Sequence, residues 1–406
     1  MANTLLTPTA VTRKALAILH QKLNFIGSIN RQYDDSFAQK GAKIGDSLKI
    51  RLPNEYAVRT GKTLDVQDTT EASTTLTVST QKGVDMDFSS AELTLDLDDF
   101  GERVLDPAMS VLAATIENDV MNVYKDVPNQ ISDVGATFTL AGAIAANKRL
   151  TDSLVPMGAS RCLNLNTTDN ASLVSALSGL FNDPAKVSKN YRDGMVASKF
   201  MGFDKIYENT LWPMGFTSGT DDGTGDHKVG AASQTGASIT HGSEGTGTFV
   251  VGDVISFAGC NEVHPETKVS TGVLKKFVVT TAMTAVATTV AISPSIVTSG
   301  AKQNCSASPT AAGAIWKRES DDSTAIGAGA DYSISMAHHK DAFAFATADL
   351  VMPSGVDFSA REVFDGISLR VIRDYDINND QFPCRIDVLY GYKTIREQLA
   401  CRIGFN

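Results

Sequence analysis

The 406-residue chain predicts an α+β fold into which a small all-β barrel domain is inserted, and three features predict it. Short runs between residues 40 and 90, and again near the C-terminus, alternate apolar with polar side chains, the period of half-buried strands. A single apolar stripe at helical spacing occupies residues 106–124. At about Met214 the composition changes. Residues 215–331 hold 16 of the 32 glycines and are dominated by Thr, Ser, Val and Ala.

From the N-terminus, Leu16, Leu19, Leu23 and Ile26 recur every three or four residues and mark an amphipathic helix, with Arg13, Lys14, His20 and Lys22 between them. Two readings stay open for it: an ordinary surface helix, or an arm that docks on another chain. Leu48, Ile50 and Leu52 alternate with Lys49 and Arg51 up to Pro53, and Leu76, Val78, Met86 and Phe88 continue the period. Between them lies a polar stretch with Arg59, Lys62, Asp65, Asp68 and Glu71 and little to bury, the tip of a long hairpin. A long polar loop in a compact domain suggests binding.

Asp106 followed by Pro107 is a strong helix start, because the carboxylate caps free amides and proline suits the first helical position. Met109, Leu112, Ile116, Val120 and Val123 then form one stripe, with Glu117, Asp119 and Asn122 placed on the surface, and Pro128 ends the run. Residues 140–154 read as helix, Cys162, Leu163 and Leu165 as strand, and 171–180 as helix. In the glycine-rich region, strands are expected at 249–251, 254–257, 276–280 and 288–292. Ile367, Leu369 and Val371, then Cys384, Ile386 and Val388, close the chain as strands.

Composition narrows the function. The chain carries 36 basic and 46 acidic residues, a net charge of −10, which disfavours wrapping nucleic acid through counterion release. Five scattered cysteines form neither a disulfide framework nor a CxxC zinc pattern. No signal peptide or apolar run long enough for a membrane helix is expected. His338 and His339 with Asp341 lack a second ligand cluster, and Asp221, Asp222 and Asp226 lack calcium-loop spacing. Gly242, Gly245 and Gly247 lack the ending of a phosphate loop, and the run Asp96, Asp98, Asp99 suits a helix start better than a catalytic pair. Catalytic, cofactor and metal residues are therefore expected to be none. A soluble α/β protein carrying a carbohydrate- or surface-binding β module is the alternative, and it requires exposed aromatic platforms among Phe216, Phe249, Phe257, Phe277, Trp316 and Tyr332.

Several short strings occur in order along the chain: Tyr191-Arg192-Asp193-Gly194, Gly202-Phe203-Asp204, Gly252-Asp253 with Ile255-Ser256-Phe257-Ala258-Gly259, Cys384-Arg385-Ile386 and Tyr390-Gly391. With this order of parts, the chain resembles the major capsid proteins of tailed phages with the Hong Kong 97-type fold. It looks most like the Salmonella short-tailed phage coat proteins that carry an inserted β-barrel. The resemblance implies an N-terminal arm (1–39), an extended loop (40–90), a peripheral domain with its spine helix (91–136), an axial and peripheral α/β region (137–214), the inserted barrel (215–336) and return strands (337–406). Met109, Leu112, Ile116, Val120 and Val123 would be the core stripe of the spine. Arg59, Lys62, Asp65, Asp68 and Glu71 would contact a neighbouring subunit, and Arg13, Lys14 and Lys22 a scaffolding protein. It further implies a homo-oligomeric icosahedral shell of hexamers and pentamers, made in the host cytoplasm. A portal protein would occupy one vertex, with double-stranded DNA enclosed but not read, and no cofactor or membrane involved.

Overall fold

The computed structural model describes residues 8–33, 46–56, 58–59, 61–64, 66, 71–88, 106–157, 160–177, 201–221, 227–242, 247–284, 287–317, 326–364, 367–377 and 382–405. Asp65, Asp68, the run Asp96, Asp98, Asp99 and the string starting at Tyr191 lie outside these residues. Five α-helices are described: α1 (Pro8–Lys22), α2 (Phe25–Ser28), α3 (Asp106–Met121), α4 (Leu140–Asp152) and α5 (Thr167–Leu177). The chain divides into two units, one of residues 1–52, 73–122 and 343–395, the other of 53–72, 123–342 and 396–406.

The first unit is built on a six-stranded sheet. Its order is Asn30–Tyr33, Phe343–Ala348, Phe382–Thr394, Ile367–Arg373 and Phe358–Phe364, with Thr80–Phe88 also paired to Phe382–Thr394. The helix α1 packs on the Phe358–Phe364 strand and on α3 with Leu16 and Leu19 buried; the expected single helix instead stops at Lys22, with the buried Leu23 in the link and the buried Ile26 on α2. The apolar face of α1 is thus covered by its own chain. Strands Asp46–Arg51 and Ser73–Val78 form an antiparallel hairpin with Leu48 opposite Leu76. Leu76 and Val78 pack with Ala344, Ala346, Ala348 and Leu389. Gly391 permits this close crossing, since a Cβ there would lie 2.2 Å from the Thr77 carbonyl oxygen.

On α3, Met109, Leu112, Ile116 and Val120 are buried, each worth about 1.5–3 kcal/mol by removal from water. One expectation is corrected: Glu117 is buried, not on the surface. It accepts the Phe25 backbone N–H at the start of α2, where Asn24 supplies no side-chain cap. Asp119 is partly covered too, accepting the Tyr390 hydroxyl at 2.6 Å and pairing with Lys82. The α-helix ends at Met121 and tightens into a 3-10 segment, Asn122–Asp126, which holds the buried Val123. Tightening satisfies late carbonyls before Pro128, with Val127 N–H donating to Tyr124 O at 3.3 Å.

The second unit holds another six-stranded sheet, ordered Gln130–Ser132, Ala400–Phe405, Asp331–His339, Arg161–Leu165 and Lys205–Glu208, with Phe216–Thr217 paired to Asp331–His339. The helix α4 packs on Ala400–Phe405. The helix α5 begins four residues before the expected position, because Asn166 starts it. Asp169 N–H donates to Asn166 Oδ1 at 2.7 Å, and Asn166 Nδ2 returns a bond to Asp169 Oδ2 at 2.8 Å.

Between Phe216–Thr217 and Asp331–His339, which pair with each other, the chain builds a second six-stranded array. Its order is Ile315–Lys317, Val254–Val263, Ser270–Val279, Thr289–Ile296, Gly236–Gly242 and Lys228–Val229. A bridge from Lys228 to Ala314 and the bond from Val229 N–H to Gly313 O at 2.9 Å join the end strands, so the array closes as a barrel. Its core contains Ile239, Phe249, Phe257, Phe277, Val290, Ile292 and Ile315. The strand expected at 249–251 is a single bridge, Phe249 to Met283, because Gly252 at φ +98° turns the chain immediately afterwards.

Candidate assembly surfaces

The groups that chemistry would need are used structurally. His338 is fully buried and its Nε2 accepts from Asn164 Nδ2 at 3.0 Å; burial lowers its pKa to about 4, so the ring is neutral at pH 7. His339 follows on the same strand and therefore faces the other side of the sheet. Among the described residues, no group of three His, Cys, Asp or Glu is placed to hold a metal ion. All five cysteines are buried free thiols. The barrel aromatics Phe249, Phe257 and Phe277 are core, and Phe216 and Tyr332 are buried against each other, with ring centres 5.5 Å apart. Tyr56 and Tyr375 are exposed aromatics, and neither lies in the barrel. Trp316 is half-buried, so none of the six barrel-region aromatics is largely exposed.

A network of charges ties the barrel to α4. Arg149 makes a two-pronged contact with Glu262, at 2.6 and 2.9 Å, and Lys275 adds a third bond at 2.9 Å. Arg149 also donates to Asn129 Oδ1 at 2.7 Å. Burial alone would raise the Glu262 pKa, but Lys275 and Arg149 together hold it at about 2, below the usual 4.5. A carboxyl depressed on folding stabilises above its unfolded pKa, and the contribution fades as pH falls from about 4.5 to about 2. Its size is on the order of 3 kcal/mol. Glu262→Gln is accordingly expected to be less stable at neutral pH. Its unfolding midpoint should also fall less steeply than wild type across that acid range, as read by thermal melts. Parallel acid limbs would contradict this.

The surface groups fall in two places. On α1, Arg13 pairs with Glu362 at 3.3 Å while staying largely exposed, Lys14 is half-buried, and Lys22 ends the helix. In the segment between the hairpin strands, Arg59, Lys62 and Glu71 are exposed. Arg59 is engaged within its own loop, donating to Gly61 O and, at 3.2 Å, to Thr63 O. Glu55 lies 3.9 Å from Lys268 of the barrel, a weak surface pair. Counting charges missed that this segment also exposes Tyr56, Val58, Leu64 and Val66. The signal was present in the sequence as two alternating pairs, Tyr56 with Val58 and Leu64 with Val66, in a stretch read for its charges.

Among the described residues no cluster of metal ligands stands beside these groups, and exposed charged and apolar side chains lie on α1 and in the segment between the hairpin strands. The chain belongs to the P22 coat protein family, whose sequence model (P22 coat protein, gene protein 5) matches residues 21–401. It is a major capsid protein of the tailed-phage type, it assembles into the virion shell, and it is not an enzyme. Its described elements form an α+β fold.

Solved structures with a similar course include one from Mycobacterium phage Che8, 12% identical, covering 95% of this chain and 91% of that one at a TM-score of 0.45. The capsid of cyanophage P-SCSP1u is 10% identical over 89% and 84% of the two chains, at 0.43. The mature capsid of bacteriophage PhiM1 is 10% identical over 95% and 87%, at 0.42. No curated protein matches the chain. No helix among the described residues is long and apolar enough to cross a membrane.

Proposed function

We propose that this chain is the scaffold-guided subunit of an icosahedral phage head, made in the host cytoplasm. It would assemble as hexamers and pentamers, with a portal protein at one vertex, around packaged double-stranded DNA. The observation that carries this reading is the family match across nearly the whole chain. The net charge of −10 supports it physically, because an acidic wall does not hold DNA tightly and so does not oppose its packing or release.

In this reading residues 1–39 are the arm, with Arg13, Lys14 and Lys22 turned to the scaffolding protein. Residues 40–90 are the extended loop over a neighbouring subunit. Residues 91–136 carry the spine and 137–214 and 337–406 complete the peripheral and axial domains. The barrel within 215–336 stiffens the subunit and ties capsomers laterally. Co-expression with the phage's own scaffolding protein tests the proposal. Closed shells are expected with the scaffold and few without it. Arg13→Glu with Lys14→Glu should fold normally and lose scaffold-dependent assembly. Equal shell yield without scaffold would overturn its role, and normal assembly of the double variant would remove α1 as its contact.

A further inference from the structure

Cys260 and Cys305 are both fully buried in the core of the barrel, and their thiols are hydrogen-bonded to each other. The backbone accounts for the contact. Glu262 bridges Cys305 in antiparallel register, and Ser306 N–H donates to Asn261 O at 2.9 Å. Cys260 therefore stands diagonally across from Cys305, within reach of a cross-strand side-chain pair. Two bonds hold the segment that presents Cys305, since the Asn304 and Cys305 N–H groups donate to Val297 O at 3.0 and 3.1 Å. Cys162 and Cys401 are placed differently. Their strands are separated by Asp331–His339, which sets them at least about 9 Å apart. A disulfide needs Cα atoms within about 7 Å, so those two cannot join without moving the sheet.

We propose that Cys260 and Cys305 are a latent redox pair, which a small-molecule disulfide such as oxidised glutathione converts to an internal disulfide. The bond would staple the Val254–Val263 strand to the segment that follows Thr289–Ile296. One thiol gives up its proton and attacks the glutathione disulfide, forming a mixed disulfide and releasing one glutathione. The second thiol attacks the protein sulfur of that mixed disulfide, closes the Cys260–Cys305 bond and releases the second glutathione. Two protein thiols are oxidised, one glutathione disulfide is reduced, and the two thiol protons end on the released glutathiones. The closed barrel holds the pair in reserve. The bond to Cys305, together with burial, pushes the Cys260 thiol above its usual range, and neither sulfur meets solvent. Exchange therefore proceeds through a local opening of the barrel. Once formed, the bond restrains the 44 residues between the cysteines, which include Ser270–Val279 and Thr289–Ile296. Thiols stay reduced in a cytosol and oxidise outside it, so the state of the pair follows the compartment. The inference rests on the barrel alone and holds whether or not the chain builds a shell.

The test incubates the purified full chain with reduced or with oxidised glutathione, each with and without mild urea. Free thiols are then blocked with N-ethylmaleimide under denaturing conditions and mapped by mass spectrometry. Reduced samples should block all 5 cysteines. Oxidised samples should lose two of these adducts and yield one peptide pair joining Cys260 to Cys305. The link should form severalfold faster in urea, as expected of a sealed site that must open. The oxidised chain should melt roughly 5–10 °C higher than the reduced one. Cys305→Ser should stop at a mixed disulfide between Cys260 and glutathione, and the wild-type mapping does not depend on that variant folding. Five free thiols after oxidised glutathione in urea would overturn the inference. So would a Cys162–Cys401 link in place of the expected one, or an oxidised chain that melts no higher than the reduced chain.

Discussion

Ile116→Asp is expected to leave almost no soluble protein. Ile116 is 1% exposed on α3, between Leu112 and Val120 on the stripe, with α1, α2 and the Thr80–Phe88 strand packed on that helix. The change removes apolar contacts worth about 2–5 kcal/mol in large-to-small core substitutions. It also buries a carboxylate beside Glu117, which already occupies the Phe25 N–H. An unpaired buried charge costs several kcal/mol more before its pKa rises to relieve it. Against a total stability of about 5–15 kcal/mol the sum is fatal or nearly so. The measurement is the soluble fraction after expression, with circular dichroism on whatever is recovered. A soluble variant with a wild-type melting temperature would show that the stripe is not core.

Arg402→Met is the second large effect. Arg402 is fully buried and donates to Gly252 O at 2.7 Å and to Gln130 Oε1 at 3.1 Å, while its guanidinium lies 5.4 Å from the centre of the Phe216 ring. It thereby joins the last strand, the Gln130–Ser132 strand and the Gly252 turn that precedes the barrel strand Val254–Val263. Its charge also opposes the burial that raises the Asp253 pKa, a carboxyl that accepts the Gly219 and Val250 amides at 3.0 and 2.8 Å. Methionine fills much of the volume but leaves the Gln130 oxygen and Gly252 carbonyl without this donor and Asp253 with less compensation. Breaking one side of such a buried polar set costs about 3–5 kcal/mol. A fall in melting temperature of roughly 10 °C is expected at 2–4 °C per kcal/mol for a unit of this size. Proteolysis near Gly252 should rise with it. An unchanged melting temperature would show the network to be dispensable.

Periodicity made much of the fold legible before any coordinates. The α3 stripe, the Leu76–Val78 alternation and the turn-punctuated region after Met214 each carry local signals that burial and pleat produce directly. What stayed hidden was long-range or depended on partners. Nothing near Glu117 shows that it meets an amide 92 residues away. Nothing near Gln130 points to Arg402, 272 residues on. The closure of the barrel rests on a two-residue strand, Lys228–Val229, too short to have a period. Of the candidate assembly surfaces, the charges between the hairpin strands were visible, but the engagement of Arg59 depends on a turn conformation. The exposure of Tyr56 and its apolar neighbours is likewise something a charge count does not report.

The most direct measurement is sedimentation of the purified full-length chain, alone and mixed with the scaffolding protein proposed above, with negative-stain electron microscopy of every fast-moving fraction. The account predicts closed shells, or partial shells and spirals, tens of nanometres across in the mixture. A chain that stays monomeric at all concentrations with its scaffold present would contradict it.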